Sequence, residues 1–186
     1  MKTSLKQRLI FLPFLLLAIA ASTIASDAPR VSRDQLVAVE KLLDSHYAKL
    51  WEDNELAVLG PTRGIYLEGY GAVMTSEVNP VAGPTLLFMR GPLNKDEIEK
   101  FRQKKIGRLP ELRKAMRQAL IDSATALDNV PAEEQIVVVT LLSKYPFEDV
   151  KGLPKQIMMQ AQRKRLVDAQ RAGGPGLDDA IRVQEN

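Results

Sequence analysis

Apolar residues recur at Leu36, Val39, Leu43, Tyr47 and Leu50, the spacing of a single stripe along a helix. Lys41, Ser45 and Lys49 fall on the opposite side, and Ser32 with Gln35 three residues on forms a capping-box pair. A helix from Ser32 to about Trp51 is therefore predicted. The texture then changes. Residues 55–60 and 64–78 are rich in β-formers and punctuated by Gly60-Pro61, Gly64, Gly69 and Gly71. Ile65-Tyr66-Leu67-Glu68 alternates as a half-buried strand does, Gly69-Tyr70-Gly71 reads as a turn or bulge, and residues 72–78 read as the return strand. A hairpin is the expected result, with one long bent strand as the alternative.

Three prolines and two glycines mark residues 79–92 as a loop with an apolar centre, Leu86-Leu87-Phe88-Met89. Asn94 with Glu97 opens a second helix to about Ile106, where Gly107 and Pro110 are expected to break it. A third helix carries Leu112, Met116, Leu120 and Leu127 on one stripe. Residues 135–142 are apolar on both faces and β-branched, the pattern of a central strand covered on both sides. A short strand at 156–159 and a helix from about Ala161 to Ala172 follow, and Gly173-Gly174-Pro175-Gly176 ends the helix. The tail to Asn186 is expected to be flexible. This order predicts an α+β fold, with about four helices packed on a mainly antiparallel sheet of about four or five strands.

The first 25 residues stand apart. Lys2, Lys6 and Arg8 precede an apolar run from Leu9 to Ile19, and small residues follow up to Ala25. That order describes a secretory signal peptide cut after Ala25. The alternative is a retained anchor, but the run is shorter than the roughly 20 apolar residues a spanning helix needs, and Pro13 interrupts it. The expected organisation is a signal peptide at 1–25, a linker at 26–31, one domain at 32–172 and a tail at 173–186. The expected location is the periplasm or the medium, with no membrane span after cleavage.

Charge looks different once the leader is set aside. Three of the 26 basic residues lie in it and none of the 23 acidic ones, so the remaining chain is balanced. A general nucleic-acid binder shows a basic excess that this chain lacks. There is no cysteine, which excludes a thiolate nucleophile, a cysteine metal site, a disulfide and a lipidated cysteine anchor. The core must hold the fold by itself.

Candidate chemistry is sparse. No nucleophile elbow, phosphate loop, dinucleotide fingerprint or zinc-protease helix occurs, and the Gly69-Tyr70-Gly71 pair lacks the third glycine of a phosphate cradle. No cofactor and no metal are implied. His46 is the sole histidine, flanking the first helix's stripe, and reads as half-buried with a hydrogen-bonded ring nitrogen. Glu68 and Glu77, on the two arms of the hairpin, read as solvated strand residues.

Three segments remain as interaction candidates. The basic run Lys100, Arg102, Lys104, Lys105, Arg108, Arg113, Lys114 and Arg117 meets anionic headgroups or an acidic partner if exposed. A solvated, dipole-matched helix explains half of it equally well. Arg163, Lys164 and Arg165 fall in the first turn of the last helix, where positive charge opposes the dipole; pairing with Glu133, Glu134, Glu148 or Asp149 would relieve it. Leu86, Leu87, Phe88 and Met89 form a partner-binding patch if exposed, and an edge strand or core plug if buried. Periodicity does not arbitrate so short a run.

The string Arg63-Gly64-Ile65-Tyr66-Leu67-Glu68-Gly69-Tyr70-Gly71-Ala72-Val73, followed by Thr75-Ser76-Glu77-Val78-Asn79, resembles a segment of uncharacterised exported bacterial proteins. Leu109-Pro110-Glu111-Leu112-Arg113 and the stretch from Leu153-Pro154 to Met159 are similar to theirs too. The resemblance implies a folded domain in a bacterial exported setting and carries over no functional residue. The leading expectation is a non-catalytic binding domain of the bacterial envelope, contacting an envelope protein or polymer through its hairpin, with Tyr66 and Tyr70, and the 86–89 loop. A carboxylate hydrolase of an envelope polymer, using Glu68, Glu77, Tyr66 and Tyr70, is the second expectation. A membrane-surface protein using its basic helices is the third.

Overall fold

Ser32 opens the first helix as its spacing predicts. Its hydroxyl accepts from the Gln35 amide at 3.2 Å, and the Gln35 side chain accepts from the Ser32 amide at 3.0 Å. The computed structural model describes residues 31–51, 58–81, 93–173 and 176–186. Residues 1–30, and with them the expected signal peptide and most of the linker, lie outside that set, as do residues 86–89.

Helix α1 (Arg33–Ala48) leads to strands β1 (Arg63–Leu67) and β2 (Gly71–Val78), then helix α2 (Lys95–Ala126). Strands β3 (Gln135–Leu142) and β4 (Gln156–Gln162), helix α3 (Arg163–Arg171), the single turn α4 (Leu177–Ala180) and strand β5 (Arg182–Glu185) complete the chain. The five strands lie in sequence order in one sheet. The pairs β1–β2, β3–β4 and β4–β5 are antiparallel, and the central pair β2–β3 is parallel. The fold is α+β.

The hairpin forms where its glycines predict. Gly71 has φ +137°, and a Cβ there would lie 1.9 Å from the Gln135 carbonyl oxygen, so only glycine lets β2 enter beside β3. Tyr70 completes the junction, its carbonyl accepting from the Gln135 amide at 2.8 Å.

Helix α2 departs from expectation. Gly107 and Pro110 do not break it, and one helix of 32 residues replaces the two predicted. Proline at 110 removes one hydrogen bond, to the Ile106 carbonyl. The buried stripe of Lys105, Leu109, Leu112, Met116, Ala119, Leu120 and Ser123 nevertheless runs through that point in register. Packing of a continuous face over the sheet outweighs the local signal. The start of α2 is as predicted, with an Asn94–Glu97 capping box.

The tail differs as well. Instead of a flexible tail, residues 177–186 form α4 and β5. Ile181 is buried against the core cluster, Glu185 pairs with Arg113 of α2, and the Asn186 carbonyl accepts the Lys155 and Gln156 amides. Polar composition hid an edge strand whose partners all lie far away in sequence.

Helices α1, α2 and α3 pack on one face of the sheet. That face contributes Ala72, Met74 and Val78 from β2, Ile136 and Val138 from β3, and Ile157, Met159 and Ala161 from β4. Beneath α1 a polar chain is buried with them: the Tyr47 hydroxyl meets Thr140 Oγ1 at 2.9 Å, and Ser76 Oγ meets Thr62 Oγ1 at 2.7 Å. Burial pushes the Tyr47 hydroxyl up to about 12.

Candidate functional site

Strand alternation sends the residues between these core positions to the other face. Ile65 lies across from Val73, Val73 from Val137, and Val137 from Gln160. One row along, Thr75, Val139 and Met158 stand side by side. None of the apolar members of these rows belongs to the helix-covered core. Among the described residues no helix packs on this face. Val137 is buried in the middle, Val73, Val139 and Met158 are half-buried, and Ile65, Leu67 and Leu141 are 50%, 44% and 39% exposed.

The border of this apolar face is mixed, with Arg63 on β1, Glu77 on β2 and Arg182 on β5 at outward register positions beside a set of glutamines. Gln135, Gln156, Gln160, Gln162 and Gln184 occupy outward register positions on β3, β4 and β5. The free edge beside β1, in contrast, is occupied by α1. Glu40 Oε1 accepts the Gly64 amide at 2.7 Å, Arg33 donates to the Gly64 carbonyl at 3.0 Å, and Asp44 accepts the Thr62 amide at 2.9 Å. These side chains take up backbone groups that would otherwise template another strand. The hairpin therefore offers its face, and this stretch of its edge is capped.

A second feature lies at one end of the sheet. A cleft of about 240 Å³ opens between α2 and the β3–β4 connection. Its floor is an ion pair. Lys105 Nζ donates to the Glu148 oxygens at 2.7 and 2.6 Å and to the Ser143 carbonyl at 2.9 Å, and both charged side chains are 2% exposed. Burial pushes the Lys105 ammonium down, while the Glu148 carboxylate pulls it partly back. Phe101, Tyr145 and Phe147 gather beside it, with centroids 5.4–6.1 Å apart.

The candidates for hydrolase chemistry do not converge. Tyr66 pairs with Ala72 and so faces the helices, where it packs against the core, whereas Glu77 sits on the opposite face. Tyr70 and Glu68 are exposed in and beside the turn. Desolvation, and then the nearby Glu134 carboxylate, raise the Tyr66 hydroxyl above its ordinary value. His46 meets Asp122 of α2 at 3.0 Å and is half-buried, as its position on the stripe's flank predicts. Among the described residues, no group of three His, Asp or Glu side chains could hold a metal ion.

The basic candidates are largely spent on internal partners. On α2, Arg102 pairs with Glu99 and the Lys151 carbonyl, Arg108 reaches the Pro80 carbonyl and stacks over Trp51, Arg113 pairs with Glu185, and Arg117 pairs with Asp178. The trio at the start of α3 is likewise committed. Arg163 Nε donates to the Ala124 carbonyl at 3.0 Å, Lys164 lies 3.9 Å from Glu133, and Arg165 reaches the Asp179 carbonyl. The Glu134 and Ala132 carbonyls accept the first amides of α3, which has no side-chain cap.

The sequence pattern places Lys105 in the basic run and Glu148 among the acidic partners open to the α3 trio, but does not join the two. Lys105 and Glu148 are 43 residues apart, and no local pattern joins them. Comparison with known proteins returned no matching family model, curated protein or solved structure. Among the described residues no helix is long and apolar enough to cross a membrane.

Proposed function

We propose that this chain is a non-catalytic binding domain of the bacterial envelope, exported through its leader, that takes a protein partner on the sheet face opposite the described helices. The observation that carries the reading is the run of apolar side chains from Ile65 and Leu67 on the hairpin to Val139 and Leu141 on β3. Exposed patches of this kind mark docking sites. Covering Ile65 or Leu67 fully would stabilise a complex by about 1 kcal/mol each, half the value for a fully exposed side chain. The border of glutamines with Arg63, Glu77 and Arg182 suits a partner with an apolar centre and polar hydrogen-bonding groups around it.

Site-specific photocrosslinking tests the reading. A photoreactive side chain at position 65 is expected to give one discrete adduct in envelope preparations, lost with Leu67→Asp and Leu141→Asp. The same group at Lys114, on exposed α2 surface, is expected to give none. Equal labelling from both positions, or no adduct at 65 with the thermal midpoint intact, would overturn it. The exported form is expected to lack residues 1–25 by mass spectrometry; intact chain confined to the cytosol would end that half of the proposal.

A further inference from the structure

We propose that the cleft between α2 and the β3–β4 connection is a binding site for a small organic anion with a short apolar body and a carboxylate head. This inference is independent of the sheet face, which lies on other residues. Leu142, Val150, Leu153 and Pro154 give the cleft apolar walls, and Val150 is 38% exposed there. Lys144 and Lys155 stand at its rim, both exposed.

Charge decides the kind of ligand. Glu148 is the single carboxylate lining the cleft, and Lys105 neutralises it from within. The Lys105 donors go to Glu148 and Ser143, and Glu148 Oε1 also accepts the Tyr145 amide at 2.8 Å. The floor therefore presents no net charge. Among the described residues Lys144 and Lys155 form no ion pair, and the neighbouring Glu77 carboxylate is taken up by the Ser143 hydroxyl. Two cations over an apolar lining favour an anionic head over an apolar body. Its volume lies below the roughly 300–1,000 Å³ of sites for drug-sized ligands, so the ligand is small.

The walls are held in place before any ligand arrives. The Lys105–Glu148 pair ties the connection to α2, and Arg102 donates to the Lys151 carbonyl at 2.8 Å. Gly152 turns with φ +79°, where an added Cβ would lie 3.9 Å from Ile106 Cδ1. A preformed cleft avoids the ordering cost that weakens small-ligand binding.

Octanoate, acetate and octanamide are the probes, added to the mature protein and followed by amide chemical shifts. Octanoate is expected to shift the amides of residues 143–155 saturably. Acetate, which lacks the apolar body, and octanamide, which lacks the charge, are expected to leave them still. In Lys144→Gln/Lys155→Gln, whose exposed side chains leave folding intact, octanoate affinity is expected to fall at least about tenfold. Equal affinity in that variant, equal binding of octanamide, or shifts centred on Ile65 and Leu67 instead of the cleft would each overturn the proposal. Phosphatidylglycerol vesicles separate a free acid from a lipid head: the same shifts with vesicles alone would assign the site to lipid and overturn the free carboxylate.

Discussion

Lys105 of α2 and Glu148 of the β3–β4 connection form a two-pronged contact, 2.7 and 2.6 Å, with both side chains withdrawn from water. Taking two charges out of solvent is expensive, and their attraction repays the cost only while both are present. Lys105→Met or Glu148→Leu alone is therefore expected to cost about 3–5 kcal/mol, since each strands a buried charge. The double variant is expected to recover most of that loss. Urea unfolding of the four proteins closes the cycle; additive losses would show that the two groups do not act as a pair.

Two glycines in the hairpin separate strain from collision. Gly69 has φ +79° with nothing within 4 Å of an added Cβ, whereas at Gly71 that atom would sit 1.9 Å from backbone. Gly69→Ala is expected to cost about 1–2 kcal/mol, the conformational penalty alone. Gly71→Ala must also push β2 away from β3, and is expected to yield little folded protein. Circular dichroism melts of the two variants check this, and equal midpoints would contradict the close approach.

Acid is expected to loosen β5 before the rest of the sheet. The Arg113 guanidinium holds the Glu185 carboxyl below its ordinary value of 4.5. A carboxyl lowered in the folded state contributes stability at pH above its unfolded value, and that contribution is lost as pH falls through the folded value. Hydrogen exchange at residues 182–185 is therefore expected to quicken below about pH 4.5 relative to β3. Arg113→Gln is expected to remove the pH dependence, and a profile unchanged by that substitution would contradict the assignment.

Local grammar was legible; long-range balance was not. The Ser32–Gln35 and Asn94–Glu97 boxes are contacts between residues three apart, and each opens a helix where the spacing says it should. The turn at Gly69–Gly71 was visible because few other residues tolerate its backbone. Pro110 misled because a breaker signal is local, whereas the stripe from Lys105 to Ser123 is secured by a sheet that pairs elsewhere. The β-branched apolar run of β3 identified a central strand, and Val137 and Val138, on its two faces, are both buried. Arg163, Lys164 and Arg165 drew notice for opposing a helix dipole, and their relief came from carbonyls at Ala124 and Asp179 and from Glu133.

The parallel junction between β2 and β3 also governs assembly. The N-terminal ribbon closes through a tight turn, but its seam with β3 waits for the 32 residues of α2 to span it. A nascent chain that stops short of Gln135 leaves the inner margin of the ribbon bare. That exposed rail makes truncated or slowly synthesised chains adhesive, and the arrival of β3 takes up its backbone groups.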